Sequence, residues 1–244
     1  MNTEEELLNW ITRPRLLGSN LIEVYVVKRE TLFGSCTPNG FIHVNDQIFD
    51  PNIITKLSHG TFYPRPLAEK NAAYKQIIPY TIMTYENKVF IMKRSSQQDE
   101  QRLHGKISLG VGGHINPQDA DRLSEPRNDG SDKYHWFDKL YEVAAAREIM
   151  EEVIVSCPVH KLELLGYIND DTDDVGSVHF GVILRYDLND DRLGIRELDK
   201  MSGAMRPWGE LWDQWLRFDV NMAREKVENW SNLIISRLPE IMEG

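Results

Sequence analysis

Residues 137–153, FDKLYEVAAAREIMEEV, constrain this chain more than any other segment. The run is rich in strong helix formers and predicts a helix. At about 100° per residue, Glu148, Glu151 and Glu152 fall within roughly 100° of arc, with Val143, Ala146, Met150 and Val153 on the far side. The expectation is one apolar face against a core and one face with three carboxylates. Like charges this close repel and raise one another's pKa. A hard divalent cation with oxygen ligands and retained waters, Mg²⁺ or Mn²⁺, would remove that cost. A solvated acidic face is the plainer alternative, and context decides between the two.

The flanking segments alternate between strand and loop signals. LIEVYVVKRE (21–30) is rich in β-branched residues, and TIMTY (81–85) and KVFIMKR (88–94) form a hairpin across Glu86-Asn87. HGKISLGVGGHIN (104–116) predicts a short strand entering a Gly-rich loop, and 117–134 a surface loop or insertion. KLELLGYI (161–168) and SVHFGVILRY (177–186) are two strands joined by the acidic turn NDDTDDVG. WGELWDQWL (208–216) and residues 219–238 are expected to be helical. Towards the N-terminus, 4–12 suggests a short amphipathic helix ending before Pro14, 35–52 loops with one strand at FIHV, and 58–76 a connector. The domain expectation is an N-terminal extension or small subdomain (1–75), a main domain (76–218) and a C-terminal helix packed on it (219–244).

Composition narrows the class of function. The chain has 244 residues, 41% of them hydrophobic and 27% charged, which suits a folded core without disulfide staples. Its formal net charge of −10 argues against sequence-blind binding to nucleic acid, which depends on Lys and Arg neutralising phosphates. No stretch approaches the ~18 uninterrupted apolar residues of a membrane span. The acidic N-terminus lacks a secretory layout, and Cys36 and Cys157 suggest free thiols, so a cytoplasmic protein is expected. Symmetry statistics make a homodimer the default.

The segment Arg147-Glu148-Ile149-Met150-Glu151-Glu152-Val153 resembles the core of the Nudix box, G-x5-E-x7-R-E-U-x-E-E-x-G-U, with U an aliphatic residue. Gly112-Gly113 lies upstream after a strand, as the Gly-Gly opening that box does. YKQIIPYTIM (74–83), RLHGKISLGVGGHINPQDADRL (102–123) and ENWS (228–231) are similar to a narrower group, the MutT-type phosphoesterases. The resemblance spans roughly residues 20–235. It departs from the box at three places: Lys139 stands eight residues before Arg147 where Glu is expected, Ile154 replaces the last Gly, and the loop after Gly113 is much longer.

The resemblance implies an α/β/α Nudix sandwich with a mixed sheet, an N-terminal extension and C-terminal helices. It also implies Mg²⁺- or Mn²⁺-dependent hydrolysis of a diphosphate linkage in a small, nucleotide-derived molecule. Glu148, Glu151 and Glu152 would be metal ligands, joined by the Gly112 carbonyl, and Arg147 would hold a carboxylate or simply pair on the helix surface. The general base stays open among the helix glutamates, Glu197 and Glu210. One of Lys93 and Arg94, which point to opposite strand faces, would bind substrate phosphate, and His114 could touch substrate. A regulatory nucleotide-binding module of the same fold is the main alternative, and an isoprenoid diphosphate isomerase a further one.

Other signals are set aside. Trp208, Trp212 and Trp215 at i, i+4 and i+7 read as a buried stripe. The histidines show no zinc spacing. Counted from Asp171, an acidic calcium loop fails at Val175 and Val182.

Overall fold

A computed structural model describes residues 22–94, 106–123, 133–156, 159, 161–196, 201–217 and 227–243. In chain order the first half runs β1 (Glu23–Lys28), α1 (Arg29–Phe33), β2 (Gly40–His43), α2 (Ile53–Leu57), β3 (Thr61–Pro64), α3 (Arg65–Ala68), β4 (Tyr74–Tyr85) and β5 (Lys88–Arg94). β6 (Ile107–Ser108) and β7 (Gly110–Gly112) enter the glycine loop, followed by α4 (Pro117–Asp121) and the long helix α5 (Lys133–Glu152). Then come β8 (Val153–Val155), β9 (Glu163–Asn169), α6 (Asp174–Val178), β10 (His179–Asp187), β11 (Leu193–Ile195) and β12 (Met201–Pro207). Helices α7 (Trp208–Arg217), α8 (Asn229–Ile235) and α9 (Leu238–Glu243) complete it.

The main sheet is mixed, with strand order β12-β5-β4-β10-β9-β2. β4 is its spine. It pairs with β10 in parallel from Gln76↔His179 to Thr84↔Asp187, with β7 at Tyr80–Ile82, and with β1 at Tyr74–Gln76. Period-two alternation then sorts β10 onto two faces. Phe180, Val182 and Leu184 face a core shared with Phe137, Leu140 and Ala144 of α5, while Ile183 joins Ile234, Ile235 and Leu238 of the C-terminal helices. The result is the expected helix–sheet–helix sandwich. At the hairpin, Glu86 has φ 51°, the left-handed conformation that a two-residue loop needs.

Several expectations are corrected. The 58–76 connector contains β3, which pairs with β1, as well as α3 and the start of β4. β1 also pairs with β4, so the described part of the N-terminal region belongs to the main sheet. The 117–134 loop opens with α4: Asn116 is the N-cap, Pro117 occupies the first turn, and Asp119 accepts from the Asn116 N–H at 2.8 Å. The acidic turn before β10 contains α6, whose Asp173 side chain accepts from Gly176 N at 2.7 Å. β8, β11 and β12 were not anticipated. In place of one helix to 238, the described residues show α8 and α9 separated by a turn. The 4–12 helix and Cys157 lie outside the described residues, and Cys36 is a free, exposed thiol. Among the described residues no helix is long and apolar enough to cross a membrane.

The orientation of α5 is also corrected, and this matters for function. Its buried positions are Phe137, Leu140, Tyr141, Ala144, Ala145 and Ile149, whereas Met150 is 46% exposed. Val143 and Ala146 are only half-buried. Glu148 and Glu152 therefore continue the inward face, where the core gives way to a cleft.

Candidate active site

Arg147 is the organising group. Its Nε and Nη2 donate to the two carboxylate oxygens of Asp119 at 2.8 and 3.0 Å, a bidentate pair. Nη2 also donates to the His114 carbonyl at 2.8 Å, and Nη1 to Glu148 at 2.8 Å and Glu151 at 3.1 Å. Asp119 is 0% exposed and Arg147 12%. One guanidinium thus ties the glycine loop, α4 and α5 together. The Asp119 bonds hold the Arg147 pKa above its ordinary value, more than offsetting burial.

Asp119 fills the role that seemed vacant. Lys139 is 65% exposed and pairs with Glu142 at 2.7 Å, away from Arg147. Counted forward from Gly113, however, Asp119 falls at the G-x5-E position with Asp for Glu. The extra residues lie after that acid and not before it. Ile154 in place of the last box glycine is also accommodated, because α5 runs straight into β8 without a left-handed cap.

Glu148 packs over the glycine loop. A Cβ on Gly113 would lie 2.0 Å from its carboxylate carbon, so the approach requires glycine. Burial pushes the Glu148 carboxyl up; Arg147 opposes this, while Glu151 and Asp119 add to it. The preceding strand is pinned by Tyr80, whose hydroxyl lies 3.0 Å from Ser108 Oγ and 2.9 Å from Ser231 Oγ and accepts from Gly110 N at 2.9 Å. Burial pushes the Tyr80 phenol up to about 12.

These parts border a cleft of about 780 Å³. Gly112, Gly113, Glu152, Lys106, Asn229 and Trp230 line it. Arg65, His114 and His179 lie on its walls. Trp230 meets Tyr80 edge to face at 6.0 Å between ring centroids. Of the residues expected from sequence, Gly112, His114 and Glu152 line the cleft, and Arg147 and Glu148 are held to its glycine loop. Glu151 is 58% exposed and held by Arg147. Lys93 is exposed on β5 and is not among the residues lining this cleft. Glu210, exposed on α7 and 3.8 Å from Arg206, is not among them either. Glu197 and the Arg94 side chain lie outside the described residues. The tryptophans of α7 are half-buried against the C-terminal core, with Trp212 and Trp215 stacked at 5.6 Å.

Missed from sequence were Asp119, Arg65, Lys106, His179 and Trp230. His179 starts β10, which long-range pairing brings to the cleft, whereas Trp230 lies in the ENWS segment that the resemblance picks out. The acidic turn before β10 proves structural in part: Asp171 bonds Arg29 and accepts from Lys75 Nζ at 2.7 Å.

A mixed sheet between helical layers, with a glycine loop clamped to a carboxylate-bearing helix, is the architecture of the Nudix fold. Comparison with known proteins agrees. The crystal structure of Tm1382, a candidate Nudix hydrolase, is 28% identical, with a TM-score of 0.63 and coverage of 90% of this chain and 99% of that one. Protein YmaB of Bacillus subtilis (strain 168) is 30% identical over 173 residues, 70% of this chain and 74% of that protein. No protein-family model matches. The chain belongs to the Nudix superfamily.

Proposed function

We propose that this protein is a metal-dependent hydrolase of a diphosphate linkage in a small, nucleotide-derived molecule. The observation that carries the reading is the Arg147 clamp, which sets the Glu148 carboxylate against Gly113 beside the cleft. The donors suit a hard cation: Glu148, Glu152 and the Gly112 carbonyl offer oxygen alone. Among the described residues no three His, Cys, Asp or Glu side chains converge as a ligand set. Mg²⁺ commonly takes one or two carboxylates and completes its shell with water and substrate phosphate, so Glu148 and Glu152 suffice to hold it. The Glu151 assignment is then replaced by a supporting role on Arg147. A bound ion would neutralise charge developing on the phosphate and lower the pKa of a water.

The chain's own residues supply the rest. Arg147 fixes Glu148 and the loop in one geometry, so little reorganisation is needed when substrate arrives. Lys106 and Arg65, which line the cleft, would bind the substrate phosphates. Trp230 offers an apolar ring to a nucleobase. The general base stays open among the helix glutamates, Glu197 and Glu210.

The test is phosphate release from nucleoside triphosphates, nucleotide sugars, dinucleoside polyphosphates and ADP-ribose, with Mg²⁺, Mn²⁺ or chelator, beside Glu152→Gln. Turnover lost with chelator and in the variant supports the reading. No turnover on any compound, with nucleotide still raising Tm, would replace it by a regulatory binding module.

A further inference from the structure

We propose that Gln76, His114 and His179 form a site for a first-row transition-metal ion such as Zn²⁺ or Co²⁺, sharing no ligand with the Glu148 and Glu152 carboxylates. The two imidazole Nε2 atoms face each other at 3.3 Å. Two nitrogens bound to one tetrahedral ion at ~2.0–2.1 Å lie ~3.3–3.4 Å apart. Gln76 Oε1 lies 3.0 Å from His114 Nε2. That falls between the ~2.9 Å of ligands at a right angle and the ~3.4 Å of a tetrahedral pair.

Without an ion, a single proton must serve both contacts. His179 Nδ1 donates to the Val175 carbonyl at 2.7 Å, so in the neutral ring its Nε2 carries a bare lone pair. Gln76 Oε1 is also an acceptor. The His114 Nε2–H would be the one proton shared between the two. Turning the Gln76 amide over would supply a donor to His114 but leave the two imidazole lone pairs opposed. A cation would instead take a lone pair from each of the three atoms.

The frame holds these groups before any ion arrives. Gln76 and His179 are directly opposite in the parallel β4–β10 register. His114 is fixed through its carbonyl by Arg147. The His179–Val175 bond is the kind of outer hydrogen bond that orients a metal-ligating imidazole. Arg65, Arg147 and Lys75 stand near the pair and oppose a cation there, so the ligand geometry carries the site, with Arg65 in part neutralised by Glu69 at 2.8 Å. Nitrogen donors select zinc or cobalt over magnesium.

The site does not depend on the hydrolase reading, and its test reads binding rather than turnover. Full-length protein freed of metal by chelator is titrated with Co²⁺ and followed by visible absorption. The expected result is one Co²⁺ per chain, displaced by equimolar Zn²⁺, insensitive to tenfold excess Mg²⁺ and retained in Glu148→Gln and Glu152→Gln. His179→Asn should weaken binding at least tenfold. His114→Asn provides the same reading if His179→Asn fails to match the wild-type metal-free melting curve. No saturable absorption overturns the proposal. So does absorption unchanged in whichever histidine variant folds, or lost in Glu152→Gln. Mg²⁺-dependent turnover in a protein that binds no Co²⁺ overturns this site alone; Co²⁺ binding without turnover on any substrate overturns the hydrolase reading alone.

Discussion

Asp119→Ala removes the buried partner of Arg147, and its cost can be worked from the contacts. Deleting one member of a buried ion pair costs ~3–5 kcal/mol because the other charge is stranded. Arg147 would keep its bonds to the His114 carbonyl, Glu148 and Glu151. The lower end, about 3 kcal/mol, therefore applies. The Asn116 N–H also loses its acceptor, and loss of such a cap adds about 1 kcal/mol. The expected loss is roughly 4 kcal/mol, a large share of the ~5–15 kcal/mol by which a domain is stable. Urea unfolding followed by far-UV circular dichroism measures it. Lys139→Ala is the control and should stay within about 0.5 kcal/mol, since its pair with Glu142 is exposed. A loss below about 1 kcal/mol for Asp119→Ala, or an equal loss for Lys139→Ala, would refute the assignment of Asp119 to the box position.

Three further outcomes are expected. Lys139→Glu, which restores the residue suggested by counting back from Arg147, should leave phosphate release and urea midpoint nearly unchanged; a gain in rate would show that Lys139 matters to the site. Gly113→Ala should displace Glu148, costing ~1–3 kcal/mol by overpacking and abolishing turnover, and wild-type rates in that variant would contradict the close approach. For Asp171, burial alone would raise the carboxyl pKa, but bonds from Arg29, Lys75 and Asn169 hold it well below the usual carboxylate range. Its stabilisation is therefore present above the unfolded pKa of about 4 and is lost as pH falls below it. Asp171→Asn should flatten the acid limb of a stability–pH curve, and an unaltered limb would count against the pair.

The long helix, the β4–β5 hairpin, β9, β10 and the glycine loop were legible because each carries a complete local signal. Which face of α5 turns inward was not. Its small Ala144 and Ala145 are buried against the sheet, while Met150 faces out. The carboxylate face, set opposite the core by the sequence pattern, is in part core-facing. The box itself was legible only from both ends: backward spacing from Arg147 lands on Lys139, whereas forward spacing from Gly113 lands on Asp119. The Asn116-Pro117-x-Asp119 cap was a readable helix start, hidden by the polar composition around it. Arg65 and His179 had no such signal, since only the pairing of distant strands brings them to the cleft.

That pairing also sets the order in which the molecule can assemble. β4 is a twelve-residue strand, buried along nearly its whole length, and its parallel partner β10 is synthesised about a hundred residues later. A parallel contact between such distant segments carries a large loop-closure cost and forms slowly. Until β10 has left the ribosome, the edge of β4 that it covers stays open, with Ile77, Ile78 and Ile82 beside it. An edge of this kind invites pairing with other chains. The first half of the protein is thus committed to waiting for the second, and co-translational folding should show a late step that begins only once residue 187 is available.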